Sequence, residues 1–169
     1  GGSRGARSIN RALEQNLEEV LEISQVVHLT GELDWPHVSA ARSALPERLR
    51  ARYRAFPYVH EMAQVLAAAD LAVCRAGAST LGEMPFFGLP AVLVPYPHAW
   101  RYQRVNAEWL TGRGAAVMVR DERLSEELLP TLRTLLTDDD RLEQMGARAE
   151  ALARPDAASH LAETLLRRP

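Results

Sequence analysis

The chain has 169 residues, of which 47% are hydrophobic and 25% are charged, as in an ordinary folded domain with its own core. The formal net charge of −2 and the lack of a basic stripe give no electrostatic case for a nucleic-acid partner. A single cysteine, Cys74, excludes an internal disulfide framework and suits a reducing compartment. No apolar run approaches the ~20 residues of a membrane span, and we recognise no signal peptide.

Helical and strand patterns alternate along the chain. Apolar spacing predicts a helix over 6–22, a strand over 24–30, a loop at Trp35–Pro36 and a helix over 38–52. A strand over 53–59 follows, with Pro57 at an edge or near its end, and then a helix over 61–69. The remaining predicted strands are 71–74, 91–94 and 115–119, and the remaining helices are 79–87, 101–110, 125–136, 137–152 and 156–167. This alternation predicts a single α/β domain, 1–169, with a Rossmann-like three-layer parallel sheet.

The stretch from Cys74 to Pro90 is the centre of the site hypothesis. A buried strand ending at Cys74 leads into the small residues Ala76, Gly77 and Ala78, where a chain can turn tightly. Ser79 or Thr80 can then cap a helix, and Gly88 is a candidate left-handed C-cap. A strand, a small-residue turn and a capped helix form the anion or nucleotide site of many open α/β sheets.

Glu83 and Gln103 each have two readings. Glu83 lies three residues after Thr80, so it could complete a capping box, or its carboxylate could accept hydrogen bonds from a sugar diol. Gln103 and Asn106 share a helix face, either as amides for sugar hydroxyls or as part of a solvated surface. The residues alone leave both questions open.

The amino terminus, Gly1-Gly2-Ser3, also has two readings. Small residues before a helix expose backbone N–H groups that can cradle a diphosphate, with the Ser3 hydroxyl as a further donor. The same residues are common in a linker remnant, and no strand precedes them in the sequence.

Nothing in the sequence favours a metal or a nucleophilic catalyst. The run Asp138–Asp140 stands at a predicted helix start, where acidic residues act as caps, so we interpret it as capping. The five histidines lack metal-ligand spacing, and Cys74 fits a small buried apolar residue.

In this order the motifs resemble the C-terminal, donor-binding half of the bacterial MurG family of glycosyltransferases. The resemblance extends over essentially the whole chain. It is carried by Gly-Gly-Ser-x-Gly-Ala-Arg at 1–7 with Asn10, His28-x-x-Gly31, Phe56-Pro57-Tyr58-Val59, Cys74-Arg75-x-Gly77-Ala78-x-Thr80 with Glu83, Gly88-x-Pro90, Val94-Pro95-x-Pro97-His98, Gln103-x-x-Asn106-Ala107 and Gly114-Ala115-Ala116. It favours the cradle reading of Gly1–Ser3 over the linker.

The resemblance implies the following substrate-binding residues. Ser3 would lie near the diphosphate, and the backbone of Val59 would read the uracil ring. Glu83 would bind the ribose hydroxyls and Gln103 the hydroxyls of N-acetylglucosamine (GlcNAc). The nucleotide-sugar would be lined by Ala78, Ser79, Thr80, Leu81 and Gly82.

The resemblance further implies one half of a GT-B fold, with the first strand and an N-terminal acceptor domain outside this chain. The whole enzyme would transfer GlcNAc from UDP-GlcNAc to lipid I with inversion, without a metal or cofactor. The absent domain would hold lipid I and the general base, and would bind peripherally to the cytoplasmic face of the plasma membrane. We expect this chain alone to be inactive.

Two alternatives remain at this point. The chain could be the donor half of another UDP-sugar glycosyltransferase with the same fold. It could also be a non-catalytic nucleotide-sugar-binding subunit that needs a partner, as in the eukaryotic two-subunit transferase acting on dolichol-linked GlcNAc.

Overall fold

The structure, a computed structural model, describes residues 6–99 and 101–167. Helices are α1 (Arg7–Gln15), α2 (Leu17–Ile23), α3 (Trp35–Ala44), α4 (Glu47–Arg50), α5 (Met62–Ala67), α6 (Thr80–Phe86), α7 (Tyr102–Thr111), α8 (Leu124–Leu136), α9 (Asp139–Glu150) and α10 (Ala157–Leu166). Strands are β1 (Val26–Leu29), β2 (Tyr53–Phe56), β3 (Ala72–Cys74), β4 (Ala91–Leu93) and β5 (Ala116–Met118), and a 3₁₀ turn spans Asp121–Arg123.

Every strand pairing in the described chain is parallel, as predicted. Hydrogen bonds join β1 to β2, which we call the two-stranded group, and join β3, β4 and β5 into a three-stranded group. The central strand of the three-stranded group is β4, which confirms that the apolar run over 91–94 is interior rather than an edge.

Side chains of β4 and the residue after it alternate between two cores. Ala91 and Leu93 pack on one face, in a cluster supplied by α6, α7 and α9. Val92 and Val94 pack on the other face, in a cluster supplied by α1, α2 and α8. The sheet is therefore covered on both faces, which explains why its central strand has no polar alternation.

The two-stranded group has a third core of its own. Tyr53 of β2 is 1% exposed and packs with Leu21 of α2, Val38 of α3 and Leu49 of α4. Helix α2 belongs to both this core and the β4 core, so it links the two strand groups.

Three predicted boundaries were wrong. The helix predicted over 6–22 is interrupted at Asn16, whose side-chain amide donates to the Ala12 carbonyl at 2.8 Å. The helix predicted over 38–52 is two helices, because Pro46 separates α3 from α4, and α3 already starts at Trp35. The strand predicted over 53–59 ends at Phe56, directly before Pro57.

Helix α6 ends as predicted. Gly88 has φ +56°, and the N–H groups of Gly88 and Leu89 donate to the Pro85 and Met84 carbonyls at 3.0 and 2.9 Å. This pair of bonds is a Schellman motif with glycine in the left-handed position. Pro85 lies in the last turn of α6, so the helix loses one backbone bond shortly before it ends.

The capping interpretation of the acidic run is also confirmed. The Asp138 carboxylate accepts a hydrogen bond from the Arg141 N–H at 3.0 Å at the start of α9. Across 6–99 and 101–167, no group of three or more histidine, cysteine or carboxylate residues could hold a metal ion.

Candidate functional site

The predicted site residues that the structure describes lie in loops and helix starts that follow the carboxyl ends of the strands. Helix α1 begins where the two strand groups meet. The Asn10 side-chain amide donates to the Thr30 carbonyl, just after β1, at 2.9 Å. The Ser8 hydroxyl lies 2.6 Å from the guanidinium of Arg75, just after β3. The two carboxyl edges therefore meet at the start of α1.

The turn between β3 and α6 presents small residues to open space. Ala78 and Ser79 are exposed, and Gly77 precedes them. A Cβ atom built on Gly77 or Gly82 would meet no atom within 4 Å, and neither glycine has a positive φ. Since neither packing nor backbone conformation requires glycine here, the space in front of this turn can admit another molecule.

Thr80 has a structural contact within this turn. Thr80 is 5% exposed, and its hydroxyl donates to the Arg75 carbonyl at 3.0 Å. Leu81 is half-buried behind it. The Thr80 side chain thus fixes the β3–α6 turn from inside.

The capping box considered for Glu83 does not form. Ser79 occupies the N-cap position with helical φ and ψ, and no side chain caps the helix there. No described residue donates a hydrogen bond to the half-buried Glu83 carboxylate, although its backbone N–H donates to the Ser79 carbonyl at 2.8 Å. The carboxylate oxygens are therefore available as acceptors for a ligand.

Gln103 lies in the first turn of α7 and is oriented by a backbone bond. Its Oε1 accepts from the Tyr96 N–H at 2.9 Å, which leaves the amide NH₂ as the group able to reach a ligand. Asn106 donates to the Ala76 carbonyl at 3.0 Å and so ties α7 to the β3–α6 turn. Arg101, just before α7, has φ +61°, a left-handed conformation that is uncommon for a non-glycine residue.

Val59 lies in the loop after β2 and is half-buried. Neither its backbone N–H nor its carbonyl is paired with a described residue. Tyr58 and His60 flank it with their rings edge to face at 5.2 Å. Ser3, together with Gly1 and Gly2, lies outside the described residues.

An ionic cluster on the three-stranded side has no counterpart in the residue roles expected from the sequence. Arg75 Nη1 donates to Asp121 Oδ1 at 2.5 Å and to the Val94 carbonyl at 3.2 Å. Ser8 accepts from Arg75 Nη2 and donates to Asp121 Oδ1, both at 2.6 Å. The motif containing Arg75 was visible in the sequence, but its partners lie far away along the chain. We call Arg75, Ser8 and Asp121 the arginine cluster.

A buried neutral network fastens α1 on the two-stranded side. The Asn10 NH₂ donates to the Thr30 carbonyl and to Asp34 Oδ2 at 2.9 and 2.7 Å. Its Oδ1 must therefore accept from His28 Nε2–H at 3.0 Å, and His28 Nδ1 accepts from the Tyr53 hydroxyl at 2.7 Å. We call Asn10, His28 and Tyr53 the histidine network, and Asp34 at its edge also accepts from Arg7 Nε at 3.1 Å.

The imidazole of His28 is neutral at neutral pH, which makes its Nδ1 an acceptor. Burial lowers the pKa of His28 from 6.5 to about 4 and raises the pKa of Tyr53. Burial likewise raises the pKa of the Cys74 thiol to about 11, so Cys74 remains a protonated, half-buried thiol at neutral pH, as expected of a packing residue.

Within residues 6–99 and 101–167, no helix has both the length and the apolar character needed to span a membrane.

Three comparisons relate the chain to known proteins. Residues 1–161 match the family model of the glycosyltransferase family 28 C-terminal domain. UDP-N-acetylglucosamine–N-acetylmuramyl-(pentapeptide) pyrophosphoryl-undecaprenol N-acetylglucosamine transferases from Roseiflexus sp. and Chlorobium limicola are 45% and 40% identical to it. Each alignment covers 98% of this chain but only 43% and 45% of the relative, so the chain spans less than half their length.

Solved structures give the same relationship. The crystal structure of Acinetobacter baumannii MurG superposes with a TM-score of 0.88 at 32% identity, over 99% of this chain and 48% of that protein. The glycosyltransferase VinC, at 21% identity and a TM-score of 0.62 over 97% of this chain and 41% of that one, shares the fold. With the family model, these matches show that the chain belongs to the glycosyltransferase family 28 C-terminal domains.

Proposed function

We propose that this chain is the donor-binding half of an enzyme that transfers GlcNAc from UDP-GlcNAc to lipid I. The observation that carries the proposal is a set of polar groups around the open β3–α6 turn and its neighbouring loops that no described residue pairs. They are the Glu83 carboxylate, the Gln103 NH₂ and the backbone of Val59. The names printed for the Roseiflexus and Chlorobium relatives supply the donor and the acceptor.

Each group suits one part of such a donor. The Val59 N–H and carbonyl can pair with the edge of a uracil ring. The Glu83 carboxylate, an acceptor-only group, can accept from both ribose hydroxyls. Gln103 would donate to a sugar hydroxyl, because its own oxygen is already held by Tyr96. Ala78, Ser79 and Gly82 would line the space between them.

The leaving group in this reaction is UDP, and its diphosphate gains negative charge as the bond to the sugar breaks. The start of α1 supplies oriented backbone N–H groups and the positive end of a helix dipole. Together with Ser3, this helix start would stabilise the departing diphosphate, so we propose a mechanism that needs neither a metal nor a cofactor. An acceptor hydroxyl would attack the sugar from the opposite face, with inversion.

We further propose that the intact enzyme has an N-terminal acceptor domain before this chain. The lengths of the relatives support this, because this chain covers only 43% and 45% of them, and one further strand would join the β1-β2 and β3-β4-β5 groups into a doubly wound sheet. That strand would lie between β1 and β3, ahead of α1. The N-terminal domain would carry the lipid I site, the general base and the contact with the cytoplasmic face of the plasma membrane.

The experiment that tests the proposal is calorimetric titration of the complete two-domain enzyme. We expect UDP-GlcNAc to bind more tightly than UDP-glucose, and GDP-mannose not to bind. Equal binding of UDP-GlcNAc and UDP-glucose would move the proposal to another UDP-sugar transferase. No binding of any of the three nucleotide sugars would refute a donor-binding function.

A substitution at Glu83 tests the site itself. Because no capping bond involves its side chain, we expect Glu83→Gln to leave the Tm within about two degrees. It should lower UDP affinity about tenfold, since hydrogen bonds to a charged acceptor contribute roughly 1.5–3 kcal/mol. Glu143→Gln, on the exposed surface of α9, is the matched control. Unchanged UDP affinity in Glu83→Gln would remove Glu83 from the site.

A further inference from the structure

The arginine cluster joins elements that the proposed function uses for different parts of the donor. Arg75 follows β3 directly, and its side chain is only 14% exposed. Asp121, 20% exposed, comes from the 3₁₀ turn after β5 and balances its charge. A guanidinium that is nearly enclosed and already paired with a carboxylate is suited to holding neighbouring groups in place.

One nitrogen of the guanidinium, Nη2, fixes the start of α1. Nη2 donates to Ser8 Oγ at 2.6 Å, and Ser8 in turn donates to Asp121 at 2.6 Å. Ser8 is the second residue of α1, so these bonds fix the first turn of the helix against the ends of β3 and β5. This helix start is the group we assign to the diphosphate.

The other nitrogen, Nη1, fixes the loop that orients Gln103. Nη1 donates to the Val94 carbonyl at the end of β4, and the guanidinium carbon lies 5.3 Å from the centre of the Tyr96 ring. The N–H of Tyr96 is the donor that fixes Gln103 Oε1 at 2.9 Å. Arg75 therefore reaches the group we assign to the sugar through a single intervening residue.

We infer that Arg75 is a positioning residue that couples the diphosphate end of the donor site to its sugar end, through Ser8 on one side and Tyr96 on the other. This inference rests on the proposed function for the identity of the two ends. The contacts predict that loss of Arg75 loosens both ends together, whereas loss of Ser8 loosens one. The uracil end, at Val59 after β2, shares no hydrogen bond with the cluster among the described residues and should be unaffected.

Lysine cannot replace arginine in this role. Arg75 uses two nitrogens at fixed angles for three acceptors and presents a flat face to an aromatic ring. A lysine ammonium keeps the charge but lacks the planar fork. Arg75→Lys is therefore the informative variant, because it separates the geometry of the side chain from its charge.

The first experiment is hydrogen–deuterium exchange of the complete enzyme without ligand. We expect Arg75→Lys to speed exchange in two segments, 8–12 and 94–99, and to leave 26–29 and 53–56 as in the wild type. Ser8→Ala should speed exchange in 8–12 alone. Arg123→Ala, which removes an exposed arginine two residues after Asp121, should change neither segment. Wild-type exchange in either segment of Arg75→Lys would overturn the inference.

The second experiment is a series of affinities for uridine, UDP and UDP-GlcNAc. The ratio of UDP to uridine affinity reports the diphosphate end, and the ratio of UDP-GlcNAc to UDP affinity reports the sugar end. Arg75→Lys should lower both ratios, each about threefold to tenfold, which corresponds to about 0.7–1.4 kcal/mol, the size of one hydrogen bond, at each end. Ser8→Ala should lower only the first ratio, and uridine affinity should stay unchanged in every variant.

The outcomes separate the two proposals. Wild-type protein that binds no UDP-GlcNAc would refute the proposed function, and the exchange experiment would still decide whether Arg75 couples the two segments. Wild-type protein that binds, combined with an Arg75→Lys variant that changes only one ratio, would leave the function in place and overturn the coupling.

Discussion

Helix α1 is fastened on its two sides by clusters of opposite character. Toward the two-stranded group, the histidine network of Asn10, His28 and Tyr53 is buried and neutral. Toward the three-stranded group, the arginine cluster is ionic and lies at the partly exposed rim. Both clusters hold the same helix start, yet they differ in burial and in charge.

The difference indicates what each cluster contributes. Inside a core, removal of one hydrogen-bonding group leaves its partner unpaired where water cannot replace it. The histidine network should therefore contribute mainly to stability. The arginine cluster is less deeply buried, so water can partly replace a lost partner, and we expect its loss to lower the free energy of unfolding less. Substitutions on the two sides of α1 therefore test whether the two clusters differ in this way.

The largest expected effect is that of Asn10→Ala. It leaves the His28 Nε2–H and the Thr30 carbonyl without their partner and removes a donor from Asp34. At about 1–3 kcal/mol for each of the two buried unpaired groups, the free energy of unfolding should fall by about 2–6 kcal/mol. Urea denaturation measures the change.

Asn106→Ala is the matched control on the three-stranded side. It removes a single half-buried bond to the Ala76 carbonyl, so we expect a loss of about 1 kcal/mol. Equal losses in the two alanine variants would mean that the histidine network contributes no special stability.

The next effect is a dependence of stability on pH. Because the pKa of His28 is about 4 in the fold against 6.5 for a free histidine, only the unfolded chain takes up this proton between those values. The stability that the neutral His28 contributes is therefore fully present above pH 6.5 and is lost progressively as the pH falls toward 4. A shift of this size corresponds to roughly 3 kcal/mol at most.

Denaturation of the wild type and of His28→Gln across pH 4–7 measures this contribution. Glutamine has no proton to gain in this range, so the variant should be less stable at pH 7 but should show a flatter pH profile. Parallel profiles for the two proteins would show that His28 is not the group responsible.

A smaller effect is expected from Tyr53→Phe. It keeps the packed ring but removes the hydroxyl that donates to His28 Nδ1, so we expect a loss of about 1–2 kcal/mol. Tyr58→Phe, whose ring is 53% exposed, is the control and should change stability by less than about 0.5 kcal/mol. If both variants matched the wild type in thermal denaturation, the hydroxyl bond would contribute nothing.

The smallest effect is that of Arg123→Ala. Arg123 pairs with Glu126 and Glu127 at 3.0 Å, but all three side chains are well exposed. Such pairs contribute about 0–1 kcal/mol, so thermal denaturation should detect almost no change. A loss as large as that of Tyr53→Phe would contradict the view that burial separates the two kinds of contact.

The amino-acid sequence by itself determined the features that depend on near neighbours. The apolar run over 91–94, the left-handed Gly88 and the acidic cap at Asp138 each follow from residues within a few positions of one another. So does the alternation of helices and strands. The errors in helix length arose at Asn16 and Pro46, where a polar or proline residue inside an apolar pattern ended a helix that periodicity alone would continue.

The arrangement of the candidate site residues depends on the tertiary structure. The local sequence was consistent both with a capping box at Thr80 and Glu83 and with a ligand role for Glu83. In the fold, the Thr80 hydroxyl instead donates to the Arg75 carbonyl. Gln103 was visible as an amide, but the Tyr96 N–H determines which end of it faces outward. Arg75 meets Ser8 across 67 positions of sequence, because parallel strands and their crossover helices bring distant strand ends to one edge. Spacing along the chain carries no record of such contacts, so the sequence predicts candidate site residues and only the fold shows how they are arranged.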